Sequence, residues 1–202
     1  MTLPLSYRRT TMDNSKDEDL IWEEVRTEHL VQDEWIDFRR HAYRFPDGTV
    51  FEPFYSYSRR NFVVIAATDT EGRYICVKQF RQGIREVTTE FCAGGIEKKD
   101  GLEKDQTEAA LKAAKRELLE ETGYTSSEWR HLLTIPSHAT IADNYAILFE
   151  AKNCVRTSDQ HLDETEFLKV EIHTEEEVNE LIKEGKFQQA LHILAMLCSK
   201  YR

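Results

Sequence analysis

Apolar residues along this chain fall into short runs whose spacing predicts the elements one after another. FVVIAAT (Phe62 to Thr68) and YICVKQF (Tyr74 to Phe80) are strand-like runs joined by the turn residues DTEGR, and TEFCAGG (Thr89 to Gly95) follows as a third strand ending in glycines. YAILFEA (Tyr145 to Ala151) and EFLKVEI (Glu166 to Ile172) give further strands. Helical spacing runs from about Thr107 to Thr122, closed by Gly123 as a C-terminal cap. Thr174 and Glu177 form a capping box for a second helix that stops at Gly185, after which Phe187, Leu191, Leu194, Ala195 and Cys198 repeat at the interval of a third. Upstream, Leu20 to Ser58 is aromatic and β-prone, with Pro46, Asp47 and Gly48 as the turn of a hairpin between HAYRF and TVFEPFYSY. The order predicts an α/β (α+β) protein: a mixed sheet with helices on its faces and an N-terminal antiparallel β appendage. Its expected divisions are a flexible polar tail over residues 1–19, a β subdomain over 20–58 and the main domain over 59–202.

Composition narrows the partners. The chain of 202 residues carries 37 acidic against 27 basic residues, a net charge of −10. That balance argues against a nucleic-acid ligand, whose phosphates need a basic footprint. An acidic protein that binds phosphate must do so through local arginines or metal ions. Cys76, Cys92, Cys154 and Cys198 sit among apolar neighbours without CxxC spacing, as buried thiols of a reducing compartment do. No run approaches the ~20 apolar residues of a membrane helix and no signal peptide is seen, so a cytoplasmic location with no membrane partner is expected.

The candidate chemistry lies on the helix TEAALKAAKRELLEETGY. At ~100° per residue from Glu108, Glu120 falls at ~120°, Glu117 at ~180° and Glu121 at ~220°, whereas Leu111, Leu118 and Leu119 fall between ~280° and ~20°. Three carboxylates thus share a face. Glu117 and Glu121, one turn apart, can ligate a common hard cation through oxygen, and Arg116 can reach Glu120 at i+4. Spacing alone favours the reading of a solvated amphipathic face.

The segment resembles the Nudix box, G-x5-E-x7-R-E-U-x-E-E-x-G-U, in which U is a bulky apolar residue. Glu108, then Arg116, Glu117, Leu118, Glu120, Glu121, Gly123 and Tyr124 match its second part position by position. Gly94, by contrast, is separated from Glu108 by thirteen residues where the pattern has five, so a charged insertion drawn from EKKDGLEKDQ lengthens the loop before the helix. The likeness extends over about residues 43 to 198 and points within the family to the ADP-ribose pyrophosphatases. QFR at Gln79 to Arg81 and the EFCAGG segment, with Cys92 where those proteins have proline, resemble theirs.

The resemblance implies a Nudix α/β/α sandwich and Mg²⁺-dependent hydrolysis of a nucleoside diphosphate sugar of the ADP-ribose kind, with Mn²⁺ fitting the same ligands. Glu117, Glu121, the backbone carbonyl of Ala93 and Glu166 would hold metal. Glu120, Arg116 and Glu164 would serve catalysis, with Glu164 or Glu166 directing the attacking water, and Arg81 and Glu90 would bind substrate. The N-terminal β region would pair two subunits into a homodimer. ADP-glucose, GDP-mannose and dinucleotides are alternative substrates. A non-cleaving nucleotide-sugar-binding domain and an RNA-cap hydrolase are the rival readings; the intact box opposes the first and net acidity the second.

Overall fold

The computed structural model describes residues 17–101 and 106–201, so the expected tail lies almost wholly outside the described residues, as does part of the insertion before the main helix. Contacts divide the chain into two units, one ending at Ser58 and the other beginning at Arg59.

The first unit is a three-stranded antiparallel sheet, β1 (Glu23–Gln32), β2 (Asp37–Arg44) and β3 (Val50–Ser58), in that order. The expected hairpin turn lies between β2 and β3. Gly48 takes φ +86°, its N–H donates to the Phe45 carbonyl at 2.9 Å, and the Asp47 carboxylate accepts from the Thr49 N–H at 2.8 Å. Trp22 sets its ring against Phe45, Phe54 and Tyr43 at centroid distances of 4.6, 5.2 and 5.9 Å, a half-exposed aromatic cluster. Strand β1 gave little signal in the sequence because its residues, EEVRTEHLVQ, are exposed on both faces and two bulges break its alternation.

The second unit is built on a seven-stranded mixed sheet. Its strands are β4 (Phe62–Asp69), β5 (Tyr74–Arg81), β6 (Glu86–Gly95), β7 (Tyr124–Thr125), β8 (Glu128–Pro136), β9 (Tyr145–Arg156) and β10 (Leu168–His173), and its helices are α1 (Gln106–Thr122), α2 (Glu175–Lys183) and α3 (Ala190–Tyr201). Strand order is β10-β5-β6-β4-β9-β7 with β8 also on β9; β4 and β9 run parallel and the other pairs antiparallel. Alternation along the central strand sends Val63, Ile65 and Ala67 to one face, with α1, and Val64 and Ala66 to the other, with α2 and α3. The expected α/β/α sandwich is therefore what the chain forms. β8 is an addition to the sequence reading, and Glu166 falls in a turn before β10 instead of opening that strand.

Two details position the functional region. β4 and β6 pair only from Phe62–Ile65 to Cys92–Gly95 and then part. The start of α3 and the turn before it satisfy the freed amides: Phe91 N–H donates to His192 Nδ1 at 3.1 Å and Thr89 N–H to the Lys186 carbonyl at 2.9 Å. Complete burial pushes the His192 imidazole down to about 3, leaving it neutral and able to accept that bond.

The second detail is the side of α1 that the sheet buries. The face of α1 against the sheet is made by Ala109, Ala110, Ala113, Ala114 and Leu118, and Glu117 and Glu121 continue that same buried face toward the C-terminus. Leu119 is only half-buried and lines, with Arg116, Glu120 and Trp129, a surface cavity of about 360 Å³. Alanines let helix and sheet approach closely, so the acidic side chains are pressed against strand β6 and not held out in solvent.

Candidate metal and active site

Glu117, Glu121 and Glu166 each bring a carboxylate oxygen within 4.8 Å of the others. Glu117 and Glu121 are 6% and 3% exposed, so two of the three charges are withdrawn from water. Burial pushes Glu117 up to about 7, opposed by Arg116 and reinforced by the charges of Glu120 and Glu166. Burial likewise pushes Glu121 up to about 8; contacts from Cys92 and the Ala93 amide oppose this and the neighbouring Glu117 and Glu166 add to it.

Gly94 explains how Glu117 fits. A Cβ on that residue would stand 2.0 Å from the Glu117 carboxyl carbon, so only glycine lets the strand pass beneath the acid. Next to it, the Ala93 N–H points at Glu121 Oε2 at 3.4 Å, a long contact. The sequence reading assigned the Ala93 carbonyl to a metal; the contact the fold displays at this residue is through its N–H.

Glu166 arrives by a separate route. The chain leaving α1 at Gly123, which has φ +75° and no room for a Cβ beside the Ser158 carbonyl, runs through β7, β8 and β9 and returns to the same helix end. There the N–H groups of Thr157 and His161 donate to the carbonyls of Gly123 and Glu120, both at 2.8 Å, and Gln160 Nε2 donates to that of Glu121 at 2.7 Å. The returning strand thereby caps the helix terminus and delivers the turn that follows. That turn is closed by the Asp163 N–H donating to Glu166 Oε2 at 3.0 Å and the Glu166 N–H to the Asp163 carbonyl at 2.9 Å. Glu164, two residues earlier, is exposed on the turn and is not part of the carboxylate cluster.

The other predicted residues form two ion-pair systems. Arg116 Nη1 lies 2.9 Å from Glu120 Oε2, the expected i+4 contact, and 2.8 Å from Glu117 Oε1. Glu120, 37% exposed, is thus held at the rim and not among the buried pair. Arg81 and Glu90, both expected to meet substrate, meet each other: Arg81 Nε donates to the wholly buried Glu90 at 2.7 Å, and the Arg81 side chain is one-third exposed. Burial raises the Glu90 carboxyl while the Arg81 charge holds it down.

One participant escaped the sequence reading. Asp100, from the inserted segment, is 5% exposed and grips Arg116 through Nε at 3.2 Å and Nη2 at 3.1 Å. Its only signal in the sequence was an acidic residue before a glycine, Gly101, which takes φ +88° at the end of a short 3-10 turn, Lys98–Asp100.

The donor set is all oxygen, tight, and over-charged for the single arginine that touches it. Such a set suits a hard divalent cation, which would also relieve the repulsion between the buried acids.

Comparison with known proteins agrees with this construction. Residues 57–194 match the NUDIX domain family. Over 128 residues the chain is 35% identical to an ADP-ribose pyrophosphatase of Bacillus subtilis (strain 168), a match that spans 63% of this chain and 64% of that protein, less than two thirds of its length. It is 29% identical to a methanol dehydrogenase activator of Bacillus methanolicus over 66% of this chain and 69% of that one. A crystal structure of an ADP compounds hydrolase superposes with a TM-score of 0.72 over 89% of this chain and 92% of its own, at 17% identity, and so shares the fold. With the domain match covering the sheet, the box helix and the returning turn alike, this chain belongs to the NUDIX family.

Proposed function

We propose that the chain is a Mg²⁺-dependent hydrolase of a nucleoside diphosphate sugar of the ADP-ribose kind, releasing a nucleoside monophosphate and a sugar phosphate. The observation that carries this reading is the convergence of Glu117, Glu121 and Glu166, two of them buried, on one point at the end of α1. A bound divalent cation supplies charge neutralisation on the diphosphate oxygens and on the group that leaves. Glu117 and Glu121 hold the cation from the helix and Glu166 from the turn, with Ala93 beneath them. Glu164, exposed on that turn, accepts the proton of the attacking water or aims it at phosphorus. Arg81, its side chain one-third exposed, offers its guanidinium to a phosphate while Glu90 fixes its direction. Arg116 keeps Glu117 and Glu120 in place. Mn²⁺ fits the same oxygen ligands.

The substrate class rests on the pyrophosphatase relative and on the QFR and EFCAGG segments. A panel of ADP-ribose, ADP-glucose, GDP-mannose, a dinucleoside diphosphate and capped RNA tests it. ADP-ribose turned over fastest, with AMP as a product and no turnover in EDTA, is the expected result. Turnover of capped RNA alone, or binding without any cleavage, would replace this reading with one of its rivals.

We also propose a homodimer formed through the N-terminal unit and a cytoplasmic setting. The exposed edge of β1, with Trp22, Val25, Leu30 and Val31 in or beside it, and the exposed Val50, Phe51 and Tyr55 of β3 are surfaces that a small sheet covers by pairing. Four free cysteines suit a reducing compartment. Light scattering at micromolar concentration is expected to give about twice the chain mass of 23.7 kDa; a monomer mass would exclude the pairing. No helix among the described residues is long and apolar enough to cross a membrane.

A further inference from the structure

The guanidinium of Arg116 has five N–H groups and makes four hydrogen bonds to defined acceptors. Nε and one N–H of Nη2 go to the two oxygens of Asp100, at 3.2 and 3.1 Å, and the other N–H of Nη2 goes to the Gly95 carbonyl at 3.0 Å. That leaves Nη1, which donates to Glu120 Oε2 at 2.9 Å and lies 2.8 Å from Glu117 Oε1 as an ion pair. One positive charge is thus shared among three carboxylates, and Glu117 is met by an ion pair while the hydrogen bonds go to Asp100, Gly95 and Glu120.

We propose that Asp100, supplied by the segment inserted between Gly95 and Glu108, is a positioning residue for the carboxylate cluster: it draws Arg116 away from Glu117 and so keeps the Glu117 carboxylate available to a divalent cation. Three features of Asp100 support the role. It is buried although it lies in a highly charged segment, EKKDG. Its backbone is fixed by a capping box, in which Asp100 Oδ2 accepts from the Glu97 N–H at 2.8 Å while the Glu97 side chain accepts from the Asp100 N–H. And its two oxygens match the planar fork of the guanidinium on the side opposite Nη1, a geometry that fixes direction as well as distance. Without that carboxylate, Nε and Nη2 would lose their acceptor, and Arg116 would turn to take Glu117 with two N–H groups. A cation would then compete with a bidentate ion pair for the same oxygens.

The inference rests on the proposed metal role of Glu117 and Glu121, and the test separates the two. Mn²⁺ affinity of the full chain is measured without substrate, by electron paramagnetic resonance of free Mn²⁺, for the parent, Asp100→Asn, Arg116→Ala, their double variant and Glu121→Gln. Asp100→Asn is expected to weaken Mn²⁺ binding on the order of tenfold, the usual cost of losing a group that orients a ligand. In the Arg116→Ala background the same change is expected to do nothing further, because Asp100 acts only through Arg116. Should Arg116→Ala fail to fold, Arg116→Lys replaces it; a lysine cannot take both Asp100 oxygens in a fork, so Asp100→Asn should there cost less than in the parent. Mn²⁺ affinity within twofold of the parent in Asp100→Asn, or losses that add in the double variant, would overturn the assignment. If Glu121→Gln also leaves Mn²⁺ binding unchanged, the metal site itself is wrong, and Asp100 has nothing to position.

Discussion

Glu121→Gln is expected to lower turnover at saturating Mg²⁺ by at least about 10²-fold, the scale set by removing one preorganised electrostatic contact from a reacting centre. The substitution keeps the shape of a side chain that is 3% exposed and removes only its charge. The same change should alter metal-free stability in the opposite sense. Burial raises the folded-state value of Glu121 to about 8 from the ordinary 4.5. Between those values the folded chain keeps a proton that the unfolded chain releases. Stability is therefore greatest below the unfolded value, falls as pH rises toward 8, and levels off above it. In EDTA, melts of the parent from about pH 5 to about pH 9 should show this decline, shared with Glu117, which burial raises to about 7. The glutamine variant should lose the larger part of it, and Mg²⁺ should restore the parent at high pH but not the variant. Turnover within twofold of the parent would remove Glu121 from the metal site. A variant that declines with pH as steeply as the parent would mean that its carboxylate carries no buried charge.

Gly94→Ala should separate function from folding. The added methyl group would lie 2.0, 2.1 and 2.4 Å from the carboxyl carbon and oxygens of Glu117. No backbone atom stands that close, so the strand can keep its place while the flexible end of the glutamate moves aside. Thermal stability is expected to change by no more than about 2–4 °C, the equivalent of about 1 kcal/mol in a chain of this size. Turnover and Mn²⁺ affinity should each fall on the order of 10-fold to 100-fold, because the displaced carboxylate is the proposed ligand. A stable variant that binds Mn²⁺ normally would show that Glu117 does not need its position against β6 to hold a cation.

The box helix, its glycine cap and the i, i+4 pair were legible in the sequence because they depend on local spacing and chain termini. Which side of the helix is buried was not. Leu118 is buried with four alanines and Leu111 packs against them, while Leu119 is left half-buried, because close packing against a sheet favours small side chains. The acids at 117 and 121 therefore lie on the core side, which is why their ordinary carboxylate values are lost. β8 was missed for a related reason: its apolar residues follow a register shift between His131 and Leu133, so no strict alternation survives. The place of Glu166 beside the helix depends on a long return through three strands, and the Asp100 grip on Arg116 depends on the path of an insertion. Neither contact has a short-range signature, since each joins residues that only the tertiary fold brings together.

The capping of α1 by its own returning strand carries a mechanical consequence. The His161 amide is pinned to the helix terminus and Leu168 is pinned to Gln79 by the first rung of β10, so residues 162–167 span two immobile posts. A span that short has few arrangements to surrender when a ligand orders it, and closure entropy grows only slowly with loop length. On the proposed metal role of Glu166, drawing it onto a cation would adjust one surface turn, with the helix beneath left unchanged. Lengthening the span between its anchors would slacken that turn without touching any residue of the metal cluster.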